Sequence, residues 1–90
     1  MSEVEIQVEG TPNPNAAKFT LSRSLPTDES RSYFDADAAA GDPLARRLFD
    51  VEGVRALLMV DNFITVTKAE EARWDDLVPP IREAIRRALA

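Results

Sequence analysis

The side chains able to do chemistry in this 90-residue chain are carboxylates, lysines and hydroxyls, because it contains no histidine and no cysteine. The first absence removes the commonest general base and the commonest imidazole ligand. The second removes disulfides, a thiol nucleophile and thiolate ligation of zinc or of an iron–sulfur cluster. Asp35, Asp37 and Asp42 fall close together and would make a paired-carboxylate site if they converged. The competing reading is a solvated loop, the usual fate of a charge run. Asp75 and Asp76 suit the first turn of a helix. Ser22, Ser24, Ser30 and Ser32 have no histidine to activate them, and Gly10, Gly41 and Gly53 lie too far apart to cradle a phosphate. The expectation is a protein that is not an enzyme, with no catalytic, cofactor or metal site.

The most unusual run is Thr11-Pro12-Asn13-Pro14-Asn15-Ala16-Ala17-Lys18-Phe19. Proline fixes φ and offers no donor, while asparagine closes turns with its side chain and tolerates left-handed backbone. The run therefore predicts a stiff, ordered loop that displays two amides. It reads either as a hairpin loop of turn formers or as a binding loop on a rigid scaffold. In a binding role, the Asn13 and Asn15 amides with Lys18 would hold an anion, and the carboxylates a hard cation such as Mg²⁺ or Ca²⁺.

Alternation positions that loop. Val4–Glu9 and Ala17–Ser22 each alternate apolar and polar residues, which predicts two strands of an antiparallel hairpin. Ser32-Tyr33-Phe34 reads as a short edge strand, and Thr27–Ser30 as a polar turn. Asp42-Pro43-Leu44 is a helix start, with Asp as N-cap and Pro at the first helical position. Leu44, Ala45, Leu48 and Phe49 form its apolar stripe, and Gly53 suits a left-handed stop. Val54–Val60 and Phe63–Lys68 read as a second hairpin across Asp61-Asn62. From Trp74 onward, apolar residues recur at helical spacing, with Arg82, Glu83, Arg86 and Arg87 on the solvated side. Pro79-Pro80 either bends one helix or marks the start of a second after a short turn; the second is favoured.

Composition bounds the whole. Ninety residues make one domain, 1–90, and a chain of this length buries only about 60–65% of its unfolded surface, which leaves little room for a deep site. No stretch is long and apolar enough to span a membrane, and the N-terminus lacks the regions of a signal peptide, which suggests the cytoplasm. The net charge of -5, from 16 acids and 11 bases, disfavours nucleic acid and suits a basic partner. The expected architecture is α+β: two layers, a mainly antiparallel four-stranded sheet with room for a short extra strand, and two helices on one face, in the order ββαββα.

Parity assigns Val4, Ile6, Val8, Phe19, Leu21, Leu58, Ile64 and Val66 to the helix-covered face. Glu5, Gln7, Lys18, Thr20, Arg55, Leu57, Met59, Phe63, Thr65 and Thr67 fall on the other. Leu57, Met59 and Phe63 then make an apolar contact patch, unless residues 23–40 fold over them.

Thr11-Pro12-Asn13-Pro14-Asn15 with Lys18-Phe19 resembles the signature of the N-terminal domain of Nfu (NifU-like) iron–sulfur scaffold proteins. Pro43-Leu44-Ala45, Leu48-Phe49 and Val51-Glu52-Gly53-Val54 resemble that family's central helix and its exit. Phe63–Lys68 is similar to its last strand, and Trp74, Leu77, Pro79 and Ile81 to its final helix. The resemblance implies a small α+β domain of iron–sulfur cluster assembly, an accessory half without the family's Cys-x-x-Cys cluster-binding half. It implies protein–protein docking to a scaffold or client protein, with Asn13, Asn15 and Lys18 as the recognition surface carried over from the motif. With the patch, the candidate partner-binding residues are Asn13, Asn15, Lys18, Leu57, Met59 and Phe63. The alternative is a small-ligand or metal-binding regulatory domain that uses the Asn13/Asn15/Lys18 loop. Partner identity and oligomeric state are not written in the residues.

Overall fold

A computed structural model of the chain describes residues 4–25 and 30–89. Most of the turn expected at Thr27–Ser30 lies outside the described residues. Strand β1 (Ile6–Gly10) pairs antiparallel with β2 (Ala16–Leu21), in the register Ile6 opposite Leu21 and Gly10 opposite Ala17. The short island is a true edge strand, β3 (Arg31–Tyr33). Helix α1 (Pro43–Phe49) leads into β4 (Val54–Val60), β5 (Phe63–Lys68) and helix α2 (Trp74–Leu89). The sheet is five-stranded and antiparallel throughout, in the order β1-β2-β5-β4-β3.

Both helices cover one face. Phe19, Met59, Ile64 and Val66 from the sheet meet Leu48, Ile81 and Ile85 from the helices in one fully buried core. Helix α1 starts as its sequence requires: the Asp42 side chain accepts from the backbone N–H groups of Leu44 and Ala45 at 3.1 and 3.2 Å, directly before Pro43. Tyr33 donates from its hydroxyl to the other Asp42 oxygen at 3.1 Å, so β3 and the helix start are tied together. Ala39 is buried in the helix-side core, which takes the segment after β3 to that side of the sheet and away from the open face.

Two expectations need correction. Strand β4 carries a register shift between Val54 and Ala56. An irregularity of this kind inserts one residue and reverses the in/out alternation beyond it. Leu57 and Met59 are therefore 2% and 1% exposed in the core, while Leu58, at 38%, faces outward. They do not contribute to an exposed patch. The second correction concerns Pro79-Pro80, which lie inside a single helix from Trp74 to Leu89. The two missing amide donors would have served the carbonyls of Asp75 and Asp76. Residues 75, 76, 79 and 80 are all exposed, so water can satisfy those carbonyls. The first turn is held instead by packing: Leu77 is buried and the Trp74 ring sits 6.3 Å from that of Phe19.

Gly53 stands at φ +103, outside the reach of most side chains, and a Cβ there would come within 3.1 Å of Ala72 and 3.2 Å of Leu77. Gly53→Ala is expected to destabilise the fold by roughly 1–3 kcal/mol. Gly10→Ala, where a Cβ meets nothing within 4 Å, should stay within about 0.5 kcal/mol of the parent. Thermal unfolding of both variants checks this; equal effects would refute the role of the left-handed turn.

Candidate functional site

The β1–β2 loop is closed by its own side chains. The Thr11 hydroxyl lies 2.9 Å from the Asn13 carbonyl and 3.0 Å from that of Ala16, with one proton to share, and accepts from Asn13 N–H at 3.2 Å. Asn13 Oδ1 accepts from Asn15 N–H at 2.9 Å, an Asx turn, and the Asn13 carbonyl accepts from Ala16 N–H at 3.0 Å. All of these contacts lie within residues 11–16.

The loop is then anchored from below by Lys68. Its ammonium donates to Asn15 Oδ1 at 3.0 Å, to the Ala69 carbonyl at 3.2 Å and to the Glu70 carbonyl at 3.4 Å. Its backbone N–H donates to the Asn15 carbonyl at 2.7 Å. The residue is only 9% exposed, and its three protons meet three neutral oxygens. Beside it, the Trp74 indole N–H donates to the Pro14 carbonyl at 3.1 Å. One buried lysine and one tryptophan therefore join the loop, the end of β5 and the start of α2. Alternation along Phe63–Lys68 places Lys68 on the inward side with Ile64 and Val66, so this role was visible in the pattern but was not drawn from it.

The six expected contact residues do not share one place. Asn13 is exposed at the loop tip, and Asn15 is half-buried with its oxygen committed to Lys68. Lys18 lies between the buried Ala17 and Phe19, so it projects from the opposite, open face, where its ammonium sits 4.4 Å from the centre of the Phe63 ring. Leu57 and Met59 are in the core. Register places Lys18 beside Thr65, Thr65 beside Leu58, and Leu58 beside Ser32, with Phe63 between Thr20 and Val60. The structure thus brings together Lys18, Phe63, Thr65 and Leu58. Leu58 was missed because no residue in β4 announces the register shift.

The carboxylates do not assemble. Asp35 Oδ1 accepts from Ala38 N–H at 2.7 Å and Asp42 caps α1, so both close local backbone. Among the described residues, no three acids are placed to hold a metal ion. An open cleft of about 960 Å³ lies between the 50–55 and 69–80 segments, with Asp50, Glu52, Glu71 and Asp76 interspersed with Arg55 and Arg73. It shares no residue with the loop.

A five-stranded antiparallel sheet with both helices on one face and the other face open defines a two-layer α+β domain. The chain belongs to the Nfu/NifU N-terminal family of iron–sulfur cluster assembly: residues 6–90 match the family described as "Scaffold protein Nfu/NifU N terminal". It is 41% identical over 81 residues to the human mitochondrial NFU1 iron–sulfur cluster scaffold homolog, covering 89% of this chain and 32% of that protein. It is 32% identical to the mitochondrial NifU-like protein 4 of Arabidopsis thaliana, covering 28% of that protein. The chain thus spans less than a third of the length of these relatives. The solution structure of a NifU-like protein from Saccharomyces cerevisiae superimposes with a TM-score of 0.80 at 26% identity, over 97% of this chain and 79% of that one. A crystal structure of a Staphylococcus aureus protein gives 0.77 at 31% identity, over 89% and 96%. The mitochondrial location is stated for those relatives; the cytoplasmic placement expected above rests on the present sequence alone. No helix among the described residues is long and apolar enough to cross a membrane.

Asn15→Ala strips one acceptor from a buried ammonium and is expected to cost about 1.5–3 kcal/mol. Asn13→Ala loses only an exposed turn bond and should cost about 0.5–1.5 kcal/mol. Urea unfolding of the two variants measures the difference; Asn13→Ala proving the more damaging would refute the anchoring role of Lys68.

Proposed function

We propose that the chain is a non-enzymatic docking module of iron–sulfur cluster assembly, which engages a scaffold or client protein and leaves cluster ligation to the partner's thiolates. The observation that carries this reading is the open sheet face. Leu58, Phe63 and Val60 lie on it beside Lys18, Thr20 and Thr65, and both helices pack on the other side. Phe34, which follows β3 directly, is 78% exposed. A face with apolar side chains at its centre, hydroxyls between them and a lysine held over an aromatic ring has the composition of a contact surface. The chemistry of the residues points the same way. These 90 residues contain neither the thiolates nor the imidazoles that hold iron–sulfur clusters, so on this reading a cluster is held by cysteines outside them.

The small-ligand reading needs Asn13, Asn15 and Lys18 to converge. Asn15 is turned to Lys68 on the helix side, and Lys18 to Phe63 on the open side. That separation speaks for docking over ligand capture.

Amide chemical-shift mapping of the labelled chain against a cysteine-bearing iron–sulfur scaffold, first apo and then cluster-loaded, tests the proposal. Saturable shifts are expected at Lys18, Leu58, Phe63 and Thr65. Leu58→Glu should weaken binding at least about tenfold, which corresponds to about 1.4 kcal/mol. No shifts with either form of the scaffold would overturn the docking role.

A further inference from the structure

The outer edge of β1 is closed over part of its length and open over the rest. Glu5 exchanges hydrogen bonds with Ser22 on the β2 side: Ser22 N–H donates to the Glu5 carbonyl at 2.9 Å, and Glu5 N–H donates to the Ser22 hydroxyl at 2.9 Å. Antiparallel strands alternate the direction of their backbone groups. Glu5, Gln7 and Glu9 therefore face β2, while Val4, Ile6, Val8 and Gly10 turn their N–H and C=O groups outward. Two of those outward carbonyls are capped from α2. Arg82 donates to the Ile6 carbonyl at 2.8 Å and Arg86 to that of Val4 at 3.5 Å. These arginines were expected on the solvated face; here they block pairing at the start of the strand. Among the described residues, the outward groups of Val8 have no such cap. Val8 is 39% exposed, and beside it a groove of about 290 Å³ runs between β1 and α2, with Pro14, Trp74 and Val78 on its walls.

We infer that the Val8–Gly10 edge of β1 takes an extended segment of a partner protein as a sixth strand, with apolar residues alternating with basic ones. Exposed donors and acceptors on an edge are otherwise hydrated, and another extended chain can pair with them in register. An apolar side chain opposite Val8 on the helix side would enter the groove against Trp74 and Val78. The alternate side chains would stand beside Gln7 and Glu9, which are exposed on the open side. Opposite charges across neighbouring strands attract and like charges repel. A second copy of this chain, pairing β1 with β1, would set Glu9 beside Gln7 and bring two acidic edges together, each in a chain of net charge -5. A basic alternating segment meets no such repulsion. This site is distinct from the open face proposed above, and either can fail without the other.

The test uses the whole 90-residue chain and a blocked seven-residue peptide that alternates lysine and valine. Saturable shifts and slowed hydrogen exchange at the Val8 and Gly10 amides, with a shift of the Trp74 indole, are expected. The same peptide with glutamate in place of lysine should bind at least fivefold more weakly. Val8→Pro removes an outward donor without touching the β2 ladder and should abolish the shifts while the melting curve stays cooperative. Val78→Lys, which leaves the backbone edge intact, should weaken the lysine peptide at least fivefold and serves if the proline variant fails to fold. Shifts confined to Leu58 and Phe63, equal binding of the two peptides, or no response at millimolar peptide would each overturn the inference. So would a doubling of mass in sedimentation that Val8→Pro abolishes, because the occupant would then be a second copy.

Discussion

The Lys68 ammonium sits where an isolated charge is costly, and the loop, the last strand and the start of α2 are arranged around it. A buried charge is tolerated when its protons are fully matched by acceptors. Here the match is made by neutral dipoles: the Asn15 amide oxygen and the two successive carbonyls, of Ala69 and Glu70, that follow β5. That arrangement holds only if the loop presents Asn15 at one position, which explains the stiffness of the run before it. Pro12 and Pro14 restrict the backbone, Thr11 and Asn13 close the turns, and the Lys68 N–H bonded to the Asn15 carbonyl starts the β2–β5 ladder at Ala16 and Thr67. The Pro/Asn motif is thus explained first as architecture. Its oxygens are mostly turned inward, toward the chain itself.

From that anchor the one-sidedness of the domain follows. Trp74, bonded to Pro14 and tilted against Phe19, fixes where α2 begins and so which face of the sheet it covers. With α1 packed beside α2, that face is closed, and no element among the described residues covers the other. An open sheet with edges invites unwanted association. The arginine caps on Val4 and Ile6, the threonine rows and Lys18 over Phe63 limit that tendency without removing the apolar centre at Leu58.

Most of this order was readable in the residues. Alternation located β1, β2 and β5, and the Asp42-Pro43 start and the Gly53 stop framed α1, because each depends on local chemistry: side-chain period, capping and backbone sterics. What failed depended on contacts distant in sequence. The register shift at Val54–Ala56 has no residue signature and reversed the faces of Leu57, Leu58 and Met59. Pro79-Pro80 looked like a break because propensity is local, whereas Leu77 and Trp74 hold the preceding turn by tertiary packing. Val8 alternated correctly but lies on an outer strand at the margin of helix cover, so it is half-exposed. The candidate site was therefore legible as a set of residue types and not as a surface: its six members divide among loop tip, core and open face.

That division matters for how a thiol-free domain can serve cluster assembly. With no thiolate or imidazole among these 90 residues, the contribution proposed for it is to hold a ligand-bearing protein nearby. A partner held at one surface makes a second contact with it effectively intramolecular, so on that proposal modest affinity at each surface would suffice. The open face and the β1 edge point in different directions from one rigid sheet, the first normal to it and the second in its plane. A partner on one need not exclude a partner on the other. The physical demand on the domain is then rigidity of the sheet that relates the two surfaces, and the buried Lys68 with its fixed loop secures the β2–β5 junction between them.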